Sequence, residues 1–141
     1  MPIAYLWDKP FTFMKYHPIP FKLFTRNRQK FMAEMAPKSL AVFNSNDIYP
    51  ISADSTMPFR QHTDILYLSG VDQEESILLL FPDAKDPKHR EVLFLKETNE
   101  HIAVWEGAKL TKEQAFTTSG IRTVYWLSEF DKVFFDLMTE A

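Results

Sequence analysis

The chain has no cysteine and only three glycines. The absence of cysteine excludes a disulfide framework, a thiolate nucleophile and any zinc site that uses cysteine ligands. It also fits a reducing compartment, and we expect a cytoplasmic location. None of the glycines stands in a G-x-G-x-x-G or G-x-x-x-x-G-K-[ST] pattern, so a glycine-rich phosphate loop is excluded as well.

The sequence also lacks a positive charge excess and a long hydrophobic run. Its 16 basic and 19 acidic residues give a formal charge of −3, and such a balance argues against nucleic-acid binding. The longest aliphatic stretch, Ile77–Phe81, is too short to span a bilayer. Asp8, Lys9 and Pro10 interrupt the apolar core that a signal peptide would need. We therefore expect neither nucleic acid nor membrane as a partner.

No recognisable catalytic pattern is present. There is no H-E-x-x-H metal motif and no G-x-S-x-G nucleophile elbow. The acidic residues Asp47, Asp54 and Asp64 and the pair Glu74-Glu75 match no loop that converges metal ligands. The sequence thus predicts no catalytic residue and no metal site. The four histidines are equally scattered, at His17, His62, His89 and His101.

What the sequence does contain is a large supply of core-forming side chains. Hydrophobic residues make up 45% and aromatic residues 15% of the 141 residues, which is enough to build one domain. Residues 1–20 hold four of the nine prolines together with several aromatics, and proline disfavours regular helix. We predict an extended arm over 1–20 and a folded domain over 21–141; Met14 is an alternative natural start.

Strand and helix signals alternate along residues 21–141. They predict a mixed α/β sheet with helices on both faces, a layout that a ribonuclease H-like domain shares. One antiparallel hairpin is expected, and helical crossovers favour parallel pairing elsewhere. The predicted elements are a helix capped by Thr25 and ending at Ala36, strands Leu40–Phe43, Ser76–Phe81, Glu91–Leu95 and Thr123–Leu127, and helices capped by Asn99, Thr111 and Ser128.

Three features are candidates for a special role. The segment Phe59–Gly70 (FRQHTDILYLSG) reads as a helix with an Arg60–Asp64 ion pair and a glycine exit. Arg28 lies on the apolar stripe of the first helix and is expected to pair with a carboxylate at the edge of the core. Trp105 stands beside a helix stop, where it is either a half-buried core aromatic or an exposed platform for a ligand or another subunit.

Taken together, these residues resemble the N-terminal domain of the aminopeptidase P (Xaa-Pro aminopeptidase) family, within the creatinase/prolidase superfamily. The resemblance begins at Phe24–Met32 and runs in the family's order to the helix after Ser128. Thr63 and Ile65 depart mildly from the family pattern, which often has Ser and an aromatic there. The signature positions are Phe59, Arg60, Gln61, Asp64, Tyr67 and Gly70.

The resemblance implies a parent enzyme that removes an N-terminal residue when proline follows it. Two Asp, one His and two Glu of a C-terminal domain would hold two divalent ions, usually manganese, and this chain is expected to stop before that domain. The N-terminal domain would do no chemistry; it would aid homo-oligomer formation and narrow access to the active site. In relatives, a Trp matching Trp105 contacts substrate in the neighbouring subunit.

Three alternatives stay open from the sequence. The chain could be a stand-alone association module that kept only this fold, or the N-terminal domain of a prolidase. A metal-dependent nuclease would also suit a ribonuclease H-like sheet, although the acidic charge counts against it.

Overall fold

A computed structural model describes residues 18–141, so most of the predicted arm at 1–20 lies outside the described residues. Two short 3-10 turns, Pro87–His89 and Leu127–Glu129, connect elements of the fold. The helices of this part are α1 (Phe21–Ala33), α2 (Thr63–Ser69), α3 (Glu100–Glu106), α4 (Lys112–Ser119) and α5 (Phe130–Met138), and the strands are β1 (Ala41–Asn44), β2 (Pro50–Ser52), β3 (Ser55–Thr56), β4 (Ser76–Leu80), β5 (Glu91–Leu95) and β6 (Thr123–Trp126).

Four strands form a mixed sheet in the order β1-β4-β5-β6. The predicted hairpin is confirmed, because β4 pairs antiparallel with β5 and Leu78 lies opposite Leu93. Parallel pairing is confirmed for β5 and β6 but is wrong for β1, which pairs antiparallel with β4. The long connection after β1 leads back to the neighbouring strand β4. At the point where β1 ends and β4 begins, the backbone N–H of Ser45 donates to the carbonyl of Ser76 at 2.9 Å.

The sheet is covered on both faces, as predicted. Successive side chains of a strand point to opposite faces, so the continuous apolar runs of β4 and β5 supply two cores at once. On one face, Leu78, Leu80, Leu93 and Leu95 pack with Ile65 and Leu68 of α2 and Ala115 of α4. On the other face, Leu79, Val92 and Phe94 pack with Leu137 and its partly buried neighbours Phe130, Val133 and Phe134 from α5.

The predicted start of the first helix is wrong. Helix α1 begins at Phe21, directly after Pro20, and ends at Ala33 instead of Ala36. Pro20 has an extended backbone (φ −59°, ψ 135°), which suits the residue before a first helical turn. Thr25 is therefore inside the helix, and its hydroxyl donates to the carbonyl of Phe21 at 3.2 Å.

The other cap predictions divide in the same way. Asn99 and Thr111 cap α3 and α4 as predicted, because their side chains accept the backbone N–H of Ile102 and Gln114. Ser128 is not a cap, since it lies inside the 3-10 turn that precedes α5. Strand β1 is only half-buried, because it lies at the edge of the sheet and pairs on one side.

Arg28 joins α1 to the sheet and to α2. Its side chain is fully buried, and Nε donates to Oε2 of Glu91 at 2.7 Å. Nη1 donates to the carbonyl of Leu68 at 2.8 Å. The predicted pairing with a carboxylate at the edge of the core is thus confirmed, and Glu91 at the start of β5 is the partner.

Candidate functional site

The signature segment Phe59–Gly70 is only partly helical. Helix α2 begins at Thr63, and the ring Nδ1 of His62 accepts the backbone N–H of Asp64 as its cap. The predicted Arg60–Asp64 ion pair is wrong: Arg60 precedes the helix, so the two residues are not neighbours on one helical face, and among residues 18–141 Asp64 faces His62 instead. The glycine exit is confirmed, since Gly70 has φ +70° and ends the helix.

Gln61 is the signature residue whose side chain forms the most hydrogen bonds. Its Nε2 donates to the carbonyls of Val71 and Gln73, both at 2.9 Å. Its Oε1 accepts the backbone N–H of His62 at 2.9 Å and that of Asn46 at 3.3 Å. Gln61 therefore ties the connection before α2 to the loop after it. Arg60, Asp64 and Tyr67 are exposed, whereas Phe59 and Gly70 are half-buried.

Trp105 lies near the end of α3 and is 80% exposed. Within this chain the interpretation as a half-buried core aromatic is wrong, because the Trp105 side chain is exposed; its role as a platform for a ligand or another subunit stays a prediction. Val104 beside it is 77% exposed, so two apolar side chains face solvent together. Gly107 ends the helix, as predicted.

Polar side chains from the loop before β4 reach the segment around α3. Oε1 of Gln73 accepts the backbone N–H of Leu110 at 2.8 Å, and the Glu74 carboxylate contacts the Lys109 ammonium. The carboxylate of Glu75 lies 3.3 Å from Nζ of Lys96. A second carboxylate, that of Glu106, lies 2.9 Å from the same Nζ. We call the ion pairs of Glu74, Glu75, Lys96, Glu106 and Lys109 the α3 clamp.

The electrostatics of the clamp favour the charged forms of Glu74 and Lys96. Burial alone would raise the pKa of Glu74, but the hydrogen bond and the charge of Lys109 outweigh burial and hold that pKa below its ordinary value. Hydrogen bonds from Glu106 and Glu75 raise the pKa of Lys96 above its ordinary value. Each of these two shifts favours the ionised form of its own side chain.

Sequence reasoning missed the clamp. It treated Glu74 and Glu75 only as possible metal ligands, and it did not single out Lys96, Glu106 or Lys109. The available signal was the pair of adjacent acids before β4 together with one lysine directly after β5. The structure brings these residues together at one end of the central β4–β5 hairpin, where Glu106 is the chain neighbour of Trp105, while the signature residues Arg60 and Tyr67 stay outside the clamp.

The described part of the chain offers little for direct chemistry. Within residues 18–141, no group of three or more His, Asp or Glu side chains is arranged to hold a metal ion. In the same range, no helix combines the length and the apolar character needed to cross a membrane. What the site presents is an exposed aromatic on an ionically anchored helix, which suits contact with another molecule.

Known proteins are similar to this chain in sequence and in fold. The family model described as aminopeptidase P, N-terminal domain, matches residues 24–141. The Xaa-Pro aminopeptidase of Escherichia coli is 29% identical over 115 residues, which cover 82% of this chain and 26% of that protein. Xaa-Pro aminopeptidase 3 of Dictyostelium discoideum is 31% identical over 113 residues, covering 80% of this chain and 22% of that protein.

Solved structures agree with the sequence matches. Aminopeptidase PepP of Pseudomonas aeruginosa superposes with a TM-score of 0.77 at 26% identity, covering 85% of this chain and 27% of that one. The low-pH form of aminopeptidase P from E. coli gives a TM-score of 0.73 at 29% identity, covering 86% and 27%. The chain thus spans about a quarter of the length of the relatives that it matches. It belongs to the aminopeptidase P N-terminal domain family.

Proposed function

We propose that this chain is the non-catalytic N-terminal domain of an Xaa-Pro aminopeptidase, an enzyme that removes the N-terminal residue preceding proline. The match to the N-terminal domain family over residues 24–141 carries the proposal. Curated relatives that bear the name Xaa-Pro aminopeptidase support it, and this favours an aminopeptidase over the prolidase alternative. A reducing compartment such as the cytoplasm suits a chain without cysteine.

The metal centre of such an enzyme belongs elsewhere in the parent protein. Residues 18–141 do not fit a dinuclear site, because their acidic and histidine side chains form no group that could hold an ion. We therefore assign the two divalent ions, manganese in the usual case, to the catalytic C-terminal domain. This domain's own task is association: its partners are that catalytic domain and further copies of the parent chain.

Trp105 is the residue that we propose to contact the peptide substrate. It is 80% exposed on a short helix, and exposed aromatics are frequent anchors in interfaces. In the proposed homo-oligomer it reaches the active site of the neighbouring subunit. There it limits the space at the amino end of a substrate that has proline in second position.

The first test concerns activity of the chain alone. The purified 141-residue chain is expected to hydrolyse no Xaa-Pro peptide, with or without added manganese, because its described residues supply no metal-binding group. The measurement is release of the N-terminal amino acid from a short peptide with proline in second position. Metal-dependent turnover by the pure chain would contradict the assignment of all catalytic residues to another domain.

The second test concerns Trp105 in the parent enzyme. Trp105→Ala is expected to lower kcat/KM by about tenfold or more, the effect of losing an aromatic anchor. It should change the free energy of unfolding by less than about 0.5 kcal/mol, because an exposed side chain contributes little to stability. Phe135→Ala is the matched control, since Phe135 is 70% exposed on α5. Equal kinetics for both variants would remove Trp105 from the substrate site.

A stand-alone association module is the second candidate function. The exposure of Val104 and Trp105 favours it, because two adjacent apolar side chains in solvent mark a contact surface. The two functions differ in what Trp105→Ala changes. In a stand-alone module the substitution would weaken association with the partner, whereas in an Xaa-Pro aminopeptidase it would lower peptide hydrolysis.

A further inference from the structure

Helix α3 is held in an unusual way. None of its residues from Glu100 to Glu106 is fully buried, and only Ile102 and Ala103 are half-buried, so it has little of the apolar anchor that fixes most helices to a core. Seven residues are also too few for a helix to be stable by itself in water. The direction of α3, and with it the position of Trp105, therefore depends in part on contacts other than core packing.

Lys96 is the contact best placed to supply that direction. It directly follows β5, whose residues Val92–Leu95 are fully buried, so its backbone starts from the rigid centre of the sheet. Its ammonium meets Glu106 at 2.9 Å and Glu75 at 3.3 Å. Glu106 is the neighbour of Trp105 in the chain, so the bond acts one residue away from the exposed ring.

Glu75 is the second carboxylate that contacts Lys96, and its own backbone has an unfavourable conformation. Its φ is +52°, a left-handed conformation that residues with a Cβ rarely adopt. The loop before β4 nevertheless carries a glutamate there, and its carboxylate reaches Lys96. Glu74–Lys109 and Gln73–Leu110 add two contacts just beyond the end of α3.

We propose that Lys96, held between Glu75 and Glu106, is a positioning residue that fixes the end of α3 and thereby places Trp105. The consequence for substrate rests on the function proposed above, whereas the effect on α3 does not. Lys96 does not touch substrate; it acts through Glu106. Removing its charge releases the helix end, while the buried sheet remains intact.

The experiment measures backbone order parameters by 15N relaxation on the 141-residue chain. In the wild type, residues 104–106 at the end of α3 are expected at about 0.85, the value of a rigid backbone, and in Lys96→Met they should fall toward about 0.6, while the Asn99-capped start of the helix stays rigid. Lys96→Arg keeps the charge and should restore the rigid value. Lys88→Met is the matched control. Nζ of Lys88 lies 3.6 Å from Oδ2 of Asp86 in an exposed ion pair, and this pair lies in the turn between β4 and β5, away from α3.

Salt separates an ionic role from a packing role. About 1 M NaCl shortens the screening length to about 3 Å, so it should lower the order parameters at the end of α3 more in the wild type than in Lys96→Met, which keeps only the Glu74–Lys109 pair. If Lys96→Met fails to fold, Glu106→Gln removes the shorter contact and serves in its place. Unchanged order parameters in the folded variant would overturn the proposal.

The order of α3 is independent of the function proposed for Trp105. Order parameters are recorded without substrate, so α3 could loosen as expected even if Trp105→Ala left the kinetics of the parent enzyme unchanged. In that case the positioning of α3 would stand and the substrate contact would fall. Rigid α3 in Lys96→Met together with a kinetic loss in Trp105→Ala would instead overturn the positioning role and support the substrate contact.

Discussion

Replacing Arg28 with methionine is expected to lower the free energy of unfolding by about 3 kcal/mol, the lower end of the range for breaking a buried ion pair. The guanidinium is fully buried, whereas the Glu91 side chain is 25% exposed. Because water reaches part of the Glu91 carboxylate, the loss in free energy of unfolding is smaller than for a fully buried pair. The carbonyl of Leu68 also loses its donor from Nη1, and a buried acceptor without a partner adds to the cost.

Urea denaturation gives the measurement, and Arg26→Met is the matched control. Arg26 lies two residues earlier on the same helix and is exposed, so its replacement should cost less than about 0.5 kcal/mol. The double variant Arg28→Met/Glu91→Gln should lose less free energy of unfolding than the two single variants lose together, because it no longer leaves a charged carboxylate unpaired. Equal midpoints for Arg28→Met and Arg26→Met would mean that the buried pair contributes nothing.

Gly70→Ala is expected to lower the free energy of unfolding by about 2–5 kcal/mol. Two costs combine at this residue. A left-handed backbone, here φ +70°, costs about 1–2 kcal/mol for a residue with a Cβ. The added Cβ would also lie only 2.6 Å from Cζ of the Phe24 ring, and overpacking of this kind costs about 1–3 kcal/mol.

The two costs can be separated with Phe24. In a Phe24→Leu background the ring atoms that meet the new Cβ are gone, so Gly70→Ala should cost only the backbone share of about 1–2 kcal/mol. Chemical denaturation of the four proteins of this cycle gives the coupling directly. The same penalty in both backgrounds would show that the Phe24 ring moves aside freely.

Much of the fold could be predicted because its signals are local. The side chains of Asn99 and Thr111 cap the helices that follow them, and Gly70 supplies the positive φ that ends α2. The β4–β5 hairpin followed from two apolar runs separated by a polar turn. Such signals act over a few residues and leave little to tertiary context.

Competing local signals explain the wrong predictions. Thr25 and Ser128 have cap chemistry, but Pro20 starts α1 earlier and a 3-10 turn delays α5. Arg60 and Asp64 have helical spacing, but the helix begins only at Thr63. In each case the side chain suited the predicted role, but the helix begins at a different residue from the one that the role requires.

The candidate site was the part least accessible to sequence reasoning. Lys96 and Glu75 face each other just beyond Leu95 and Ser76, the last pair of the hairpin. Only the tertiary fold adds Glu106 from the end of α3 to this contact. The exposure of Trp105 was one of two open interpretations, because a helix stop allows both. Choosing between them required the tertiary structure, in which Trp105 is 80% exposed.

The central hairpin has a consequence for the unfolded chain. Leu78–Phe81 and Val92–Leu95 are fully buried only because helices cover both faces of the sheet. In a chain without that cover, the uncharged segment Ser76–Phe81 has the composition of an aggregation-prone strand. Pro82 and Asp83 follow it at once, and such residues oppose intermolecular strand pairing. Variants that increase the unfolded population will therefore be limited by solubility as well as by stability.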